Sequence, residues 1–224
     1  IFSSCKDLSN ITVTLYGTMY AQMNGVFSGC AELSNVKIET GSDLTYQTFT
    51  GFSSCNYLNN CMVESTMSAC SVDFNGFLNC TFLTTCKCSL TISSSVTGGK
   101  SLYGFAACTY LSSCRAEVYA NTSTAGTQNV NSYNTCVQLT MCSANAQSNS
   151  SIASIGISGC TRVIACGSVG TNAGSGAGYG FASCQQCQQC APGGVSKTAT
   201  QLTSYADTNT NAYAYTAAGG YNRV

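Results

Sequence analysis

The sequence has no histidine and no tryptophan, a single proline and few charged side chains. Without histidine, the usual Ser-His and Cys-His nucleophile pairs cannot form, and a mixed Cys/His metal site is excluded. Charged residues make up 7% of the chain, eight basic and eight acidic, so the basic excess that neutralises nucleic-acid phosphates is missing. No run of about 20 apolar residues is present, which excludes a hydrophobic spanning helix. We therefore expect neither a nucleic-acid partner nor a membrane-spanning segment.

The sequence does contain one pattern that is repeated eight times. Each copy usually begins with an aromatic residue, and Cys, Leu and then Ile, Val or Cys follow it at intervals of three residues. The copies begin at Phe2, Phe27, Phe52, Phe77, Phe105, Tyr133, Ile157 and Phe181. They are 24 to 28 residues apart, a period typical of stacked-rung proteins. The threefold spacing fits a 3₁₀-like or extended segment, and the twofold alternation after it, as in Val36 and Ile38, indicates a short strand. The repeat predicts a β-rich solenoid of eight rungs over residues 1–194 with a parallel strand ladder, either LRR-like or a β-helix.

Cysteine, with 17 copies, is concentrated in the columns of the repeat. One column is Cys in all eight copies: Cys5, Cys30, Cys55, Cys80, Cys108, Cys136, Cys160 and Cys184. A second column is Cys from the third copy onward: Cys61, Cys86, Cys114, Cys142, Cys166 and Cys190. Small apolar side chains stacked one per rung predict a narrow core of mostly reduced thiols. Disulfides between rungs are the alternative, because the strand spacing lies within the Cα separation that a disulfide allows.

The closely spaced Cys184, Cys187 and Cys190 raise the question of a metal site. Zinc needs thiolates whose positions close a tetrahedron, whereas these three all fall on core columns of the repeat. We therefore predict no metal and no cofactor.

The ends of the chain differ from the repeat. The chain starts at Ile1, directly before the first copy, without an initiator Met or a capping segment, so we expect a fragment of a longer protein. After Pro192 the repeat stops, and residues 195–224 are predicted to form a C-terminal cap or an oligomerisation segment. A glycine precedes the aromatic residue in five copies, as at Gly51, and predicts a corner with positive φ.

Charged residues recur at two positions of the predicted strand. Basic side chains stand ten residues after the aromatic residue and acidic ones twelve residues after it: Lys37, Lys87 and Arg115, and Glu39, Glu64 and Glu117. We call these six the ion-pair ladder, because both positions point to the same side of a strand and opposite charges can pair. Such pairing lowers a carboxyl pKa, the wrong direction for a general acid. Outside the ladder, Asp43 and Asp73 are the acids that we nominate for an enzyme.

A sharper candidate for function lies five residues after the aromatic residue. Successive copies carry Asp7, Glu32, Tyr57, Phe82, Tyr110, Gln138, Arg162 and Gln186 at this position. Tyr57, Phe82 and Tyr110, which we call the aromatic stripe, are one rung apart. The rings either shield the edge of the core or stack against an extended glycan. In the second case, Asn59, Asn60 and Lys87 would supply polar contacts.

Two strings carry a resemblance to known repeats: Phe52-Ser-Ser-Cys55-Asn-Tyr-Leu58 and Phe27-Ser-Gly-Cys30-Ala-Glu-Leu33-Ser-Asn-Val36-Lys-Ile38. They resemble the BspA-type (treponemal) leucine-rich repeat over residues 1–192. The second Cys column is similar to Cys-rich repeats of prophage tail and surface proteins of gut Firmicutes. The Pro that commonly follows the strand in the BspA type is absent here. The resemblance implies adhesion or receptor binding rather than catalysis.

The sequence thus favours a non-enzymatic recognition module on a phage tail or bacterial surface, outside the cell, which binds a cell-surface glycan or protein. The alternative is a structural subunit of an extracellular fibre or sheath that assembles through rung ends and the C-terminal segment. Either one is expected to be a homo-oligomer, a trimer or a fibre. A β-helical polysaccharide depolymerase is a third hypothesis, and an ice-binding solenoid is disfavoured because no flat column of Thr-x-Thr is present.

Overall fold

The computed structural model describes residues 1–16, 22–41, 48–70, 73–96, 100–120, 127–149, 153–173, 178–196, 213–216 and 220–223. Those between 1 and 196 form a parallel β-solenoid, and none of the described residues is helical. Accordingly, no helix in this part of the chain is long and apolar enough to cross a membrane. The predicted β-rich solenoid is confirmed. Of the two predicted forms, LRR-like or β-helix, the structure has the β-helix, because each described side of the rung is built of parallel strands.

The first side of the solenoid is an eight-stranded sheet to which every copy of the repeat contributes one strand. Its strands are β1 (Phe2–Ser3), β3 (Gln22–Ser28), β5 (Thr48–Ser53), β8 (Phe74–Leu78), β11 (Lys100–Ala106), β14 (Thr127–Asn134), β17 (Ser154–Ser158) and β20 (Gly178–Ala182). The aromatic residues pair in register and point into the core, where Phe77 and Phe105 stack at 4.6 Å between ring centroids. The rings of this column stack without a break from Phe2 to Tyr133, and Ile157 then separates them from Phe181.

The second and third sides belong to one 14-stranded sheet that turns a corner. The second side consists of short strands: β6 (Tyr57–Asn59), β9 (Phe82–Thr84), β12 (Tyr110–Ser112), β15 (Gln138–Thr140), β18 (Arg162–Ile164) and β21 (Cys187–Gln188). The third consists of longer strands: β7 (Met62–Cys70), β10 (Lys87–Val96), β13 (Arg115–Ala120), β16 (Ser143–Ser148), β19 (Gly167–Asn172) and β22 (Ala191–Ser196). In the first two copies both sides merge into β2 (Leu8–Leu15) and β4 (Glu32–Thr40). Six copies therefore form rungs with three separate strands.

Two corners of each rung are made by single residues with positive φ. In the third copy these are Ser54 and Asn60, with φ of 53° and 51°. Each stands directly before a cysteine of the core, and the extended strand β6 lies between them. The threefold apolar spacing thus comes from corners that redirect an extended chain, and the 3₁₀ alternative is wrong for the described residues.

The glycines before the aromatic residue do not form these corners, which corrects the sequence prediction. Gly51, Gly76, Gly104 and Gly156 lack positive φ and lie within strands. A Cβ on Gly51 would approach the Gly76 carbonyl oxygen to 2.7 Å and Val63 Cγ2 to 2.8 Å. Glycine is required here because the backbone packs against the next rung and against the opposite side of the core.

The cysteine columns line the core as predicted. Sixteen cysteines are free thiols, and all of them except Cys5 are buried, whereas the side chain of Cys70 lies outside the described residues. Burial raises the pKa of Cys88, so the neutral thiol is the stable form there. Among the described residues no group of three or more His, Cys, Asp or Glu is placed to hold a metal ion, and this includes Cys184, Cys187 and Cys190.

The C-terminal segment contains an antiparallel hairpin of β23 (Tyr213–Thr216) and β24 (Gly220–Arg223). Strand β23 lies beside β22 of the last rung. Its side chains lie outside the described residues, so the choice between a cap and an oligomerisation segment stays a prediction.

Candidate binding groove

The ion-pair ladder lies on the third side of the solenoid, where in-register pairing aligns its charges. Lys37 Nζ is 2.5 Å from Glu39 Oε1 and 2.7 Å from Glu64 Oε2, while Lys87 Nζ is 3.4 Å from Glu64 Oε1. Arg115 pairs with Glu117 within the fifth rung at 2.5 Å. The predicted pairing within and between rungs is confirmed. The hydrogen bond from Lys37 lowers the pKa of Glu64, so this carboxyl is held ionised and unsuited to donate a proton.

The aromatic stripe lies on the second side and is exposed to solvent. Tyr57, Phe82 and Tyr110 retain 54%, 41% and 43% of their accessible surface. Parallel pairing of β6, β9 and β12 brings the rings into register. In the three short strands that carry the stripe, the residue between the two outward positions is a buried leucine: Leu58, Leu83 and Leu111. The stripe is thus an exposed row of rings above a buried leucine column.

The rings of the stripe stack against one another. The Tyr57 and Phe82 centroids are 5.1 Å apart with 6° between the planes, and those of Phe82 and Tyr110 are 5.0 Å apart with 10°. Both faces of Phe82 are therefore covered by neighbouring rings. The edges of the stack face solvent, and its two terminal faces, one on Tyr57 and one on Tyr110, are the ring faces of the stripe that no other stripe ring covers.

A shallow groove follows the stripe along the solenoid. Over the first four rungs it has a volume of about 560 Å³, and it continues past Phe82 as a second depression of about 280 Å³ that reaches Gln138. The stripe position forms one wall and the leucine column forms the floor. The other wall is a row of short polar side chains: Ser9, Ser34, Asn59, Thr84, Ser112 and Thr140. In the third to fifth rungs the groove therefore has an aromatic wall and a hydrogen-bonding wall, and each rung contributes one side chain to each wall.

The predicted polar contacts divide between the groove and its surroundings. Asn59 lines the groove, and its Oδ1 accepts a hydrogen bond of 3.2 Å from Thr85 Oγ1. Asn60 stands at the corner, where its Nδ2 donates to Asn35 Oδ1 at 2.8 Å. Lys87 lies beyond that corner, in the ion-pair ladder. The structure brings Tyr57, Phe82, Tyr110 and Asn59 together and leaves Asn60 and Lys87 outside the groove lining.

The charge of the groove changes along its length. The wall formed by the stripe position begins with Asp7 and Glu32, and no basic side chain lines this part. Neither carboxylate has an ion-pair partner among the described residues. Beyond Tyr110 the same position carries Gln138 and then Arg162, which pair in register. One end of the groove is therefore acidic and the other is neutral, with Arg162 in the same column one rung beyond the groove lining.

The acids proposed for an enzyme do not form a pair in the described part of the chain. Asp73 Oδ1 accepts a hydrogen bond of 2.9 Å from the backbone N–H of Ser101, and its backbone carbonyl accepts one from Phe49. Asp43 lies outside the described residues. The carboxylates of the groove are those of Asp7 and Glu32, which stand at the same repeat position as the aromatic stripe. Both residues were found at this position from the sequence and were given no role there.

Searches of protein-family models, of curated proteins and of solved structures find no match to this chain. The likeness to BspA-type and prophage repeats therefore stays a resemblance carried by the repeat pattern alone.

Two features of the groove were missed by sequence reasoning. The polar row from Ser9 to Thr140 occupies one repeat position, two residues beyond the stripe, so the alignment of copies could have identified it. The mutual stacking of the rings had no comparable signal, because it depends on side-chain rotamers rather than on spacing.

Proposed function

We propose that the protein is a non-enzymatic recognition module that binds an extended glycan along the groove on its second side. The observation that carries this proposal is the combination, over consecutive rungs, of exposed aromatic rings and a parallel row of hydroxyl and amide groups. Such a mixture of apolar and hydrogen-bonding walls suits sugar units, which have C–H faces and hydroxyl rims.

A glycan fits this surface better than an extended peptide does. A peptide usually gains affinity by adding a strand to a free sheet edge. The short strands that line the groove have neighbours on both sides from β6 to β18, so their backbone hydrogen bonds are already made. A ligand in the groove must therefore be held by side chains.

Binding to a glycan array tests the proposal. We expect the wild-type protein to bind a defined set of glycans, and the triple variant Tyr57→Ala, Phe82→Ala and Tyr110→Ala to lose that binding. The matched control is the double variant Tyr16→Ala and Val169→Ala, which removes exposed apolar side chains away from the groove and should bind like the wild type. Undiminished binding by the triple variant would reject the groove as the site.

The setting proposed for this module is the surface of a phage tail or of a bacterial cell. It is supported by the resemblance of the repeat and by the low charge of the chain, and it does not follow from the fold. Immunogold labelling of virions and cells from the source, with an antibody raised against the purified chain, tests it. Labelling confined to the cell interior would contradict it.

A structural subunit is the second candidate. In-register parallel ladders hold each rung of this chain against the next, and the same strand pairing between copies would build a fibre. Light scattering distinguishes the candidates: a polymer that shortens when residues 195–224 are deleted supports a fibre, and a discrete trimer supports a recognition module.

A further inference from the structure

The two terminal faces of the ring stack lie in different surroundings. Tyr57 is the most exposed ring of the stripe, and the face that does not contact Phe82 is directed at the second rung. The side chain in register with Tyr57 on that rung is Glu32, and Asp7 lies one rung further along the same wall. This free aromatic face therefore borders the larger, acidic part of the groove.

The chemistry around this face defines what can occupy it. An aromatic face packs against apolar C–H groups and attracts cations. Ionised carboxylates only accept hydrogen bonds, and they form the strongest ones with charged donors. Ser34 and Asn59, on the opposite wall, can both donate and accept. A ligand unit here needs an apolar face, several donors at its rim and no negative charge.

We propose that the free face of Tyr57, flanked by Glu32 and Asp7, is a subsite for an uncharged or amino-bearing sugar ring and discriminates against acidic sugars. This inference rests on the proposed function and specifies its ligand. Sugar hydroxyls or an ammonium group donate to Glu32 while the ring packs on Tyr57. A carboxylate or sulfate on the sugar would be placed beside two unpaired carboxylates and repelled.

The opposite end of the stripe has different surroundings, and this difference gives the groove a direction. The outer face of Tyr110 is directed at Gln138, and Arg162 stands one rung beyond. That part of the groove is smaller and contains no carboxylate in its lining. A bound glycan is therefore oriented with its uncharged or cationic unit at Tyr57.

Three hexasaccharide probes test the charge preference by isothermal titration calorimetry at low ionic strength: N-acetylglucosamine hexamer, glucosamine hexamer and galacturonate hexamer. We expect the wild type to bind the first two more tightly than the anionic probe. Glu32→Gln should weaken the cationic probe about threefold and strengthen the anionic probe by a similar factor. It should weaken the neutral probe less than the cationic one, because the amide oxygen of Gln still accepts a hydrogen bond from a sugar hydroxyl. Added salt should reduce the difference between probes.

Single-ring variants test the position of the subsite. Tyr57→Ala should weaken the neutral probe by about tenfold, whereas Tyr57→Phe, which keeps the ring face, should retain binding. Phe82→Ala should weaken binding of the neutral probe less than Tyr57→Ala does, because both faces of Phe82 are already covered by neighbouring rings. Thermal unfolding of each variant checks that the solenoid is intact.

The outcomes separate this inference from the proposed function. The subsite is contradicted, and glycan binding is not, if a probe binds but the anionic probe binds as tightly as the cationic one. The same conclusion follows if Tyr57→Ala weakens binding of a probe no more than Phe82→Ala does. If none of the three probes binds, the subsite is overturned as well. If the glycan array is also blank, the proposed function falls with it.

Discussion

Each rung turns two corners through single residues with positive φ, and the side chain after each corner is cysteine in most rungs. Cys108 shows why this residue type recurs. Its Sγ lies 3.4 Å from the Ala106 carbonyl oxygen and 3.7 Å from that of Phe77 in the preceding rung. The position after the corner holds a short apolar side chain, and its S–H group is a weak donor that reaches the backbone carbonyl oxygens near the corner. Cysteine meets both demands without requiring a strong hydrogen bond.

Replacing Cys108 by Ser and by Ala separates these demands. Cys108→Ala should destabilise the fold by about 1 kcal/mol, because it leaves a small void. Cys108→Ser should cost about 2 to 3 kcal/mol, because a shorter C–O bond holds the hydroxyl back from the carbonyls and buries it poorly bonded. Thermal unfolding under reducing conditions measures both. A serine variant as stable as the wild type would contradict this account of the column.

Glu64 provides a pH-dependent prediction for the ion-pair ladder. Its pKa in the folded protein lies below the usual 4.5, chiefly because Lys37 donates a hydrogen bond to the carboxylate. The stabilisation is therefore present above pH 4.5 and is lost as the pH falls through the lower, folded-state pKa. Its size should be about 0.5 kcal/mol, since the pair is partly exposed and screened.

Unfolding of Glu64→Gln at several pH values checks this prediction. The variant should lose stability at pH 7 and approach the wild type at pH 3. Glu32→Gln is the matched control, because Glu32 has no ion-pair partner among the described residues. Equal pH profiles for the wild type and Glu64→Gln would show that the pair contributes no measurable stability.

Among the elements, the strands were predictable and the corners were not. The aromatic, Cys and Leu columns gave the register, since an in-register parallel ladder stacks identical positions such as Phe52 and Phe77. Positive φ occurs at residues as different as Ser54, Asn79 and Thr135, so residue type alone did not reveal the corners. Gly51 was misassigned because glycine serves close packing as well as positive φ.

Two glycines in strands give a paired test of that packing. A Cβ on Gly104 would lie 2.7 Å from the Ser132 carbonyl oxygen, whereas one on Gly167 would meet nothing within 4 Å. Gly104→Ala should destabilise the protein by about 3 kcal/mol through overpacking. Gly167→Ala should be neutral or stabilise it by about 0.5 kcal/mol through lower chain entropy. Thermal unfolding compares them, and equal effects would refute the packing argument.

For the groove, sequence reasoning identified the wall formed by Tyr57, Phe82 and Tyr110 but not its chemistry. It left open whether the rings shield the edge of the core or stack against a glycan, and in the structure only the two ends of the stripe have a ring face that no other stripe ring covers. Lys87, which was expected as a polar contact, follows Phe82 by five residues in the sequence. A corner at Thr85 turns the chain between them, and that corner could not be read from residue type.

For the whole molecule, the state of the cysteines is the property most open to measurement. With a thiol reagent and no reductant, Cys5 should react rapidly in the folded protein, because it alone among the sixteen described thiols is not buried. After denaturation at least sixteen thiols should react. Each disulfide between rungs would lower that number by two, so a substantially smaller number would indicate an oxidised core.

The proposal that the second side of a reduced β-solenoid binds glycans can be tested residue by residue. The measurement is an NMR titration of the isotopically labelled chain with the tightest glycan from the array. Chemical shift changes should cluster at Glu32, Ser34, Tyr57, Asn59 and Tyr110 and leave the ion-pair ladder unchanged. Shifts centred on Lys37 and Glu64, or none at saturating glycan, would contradict it.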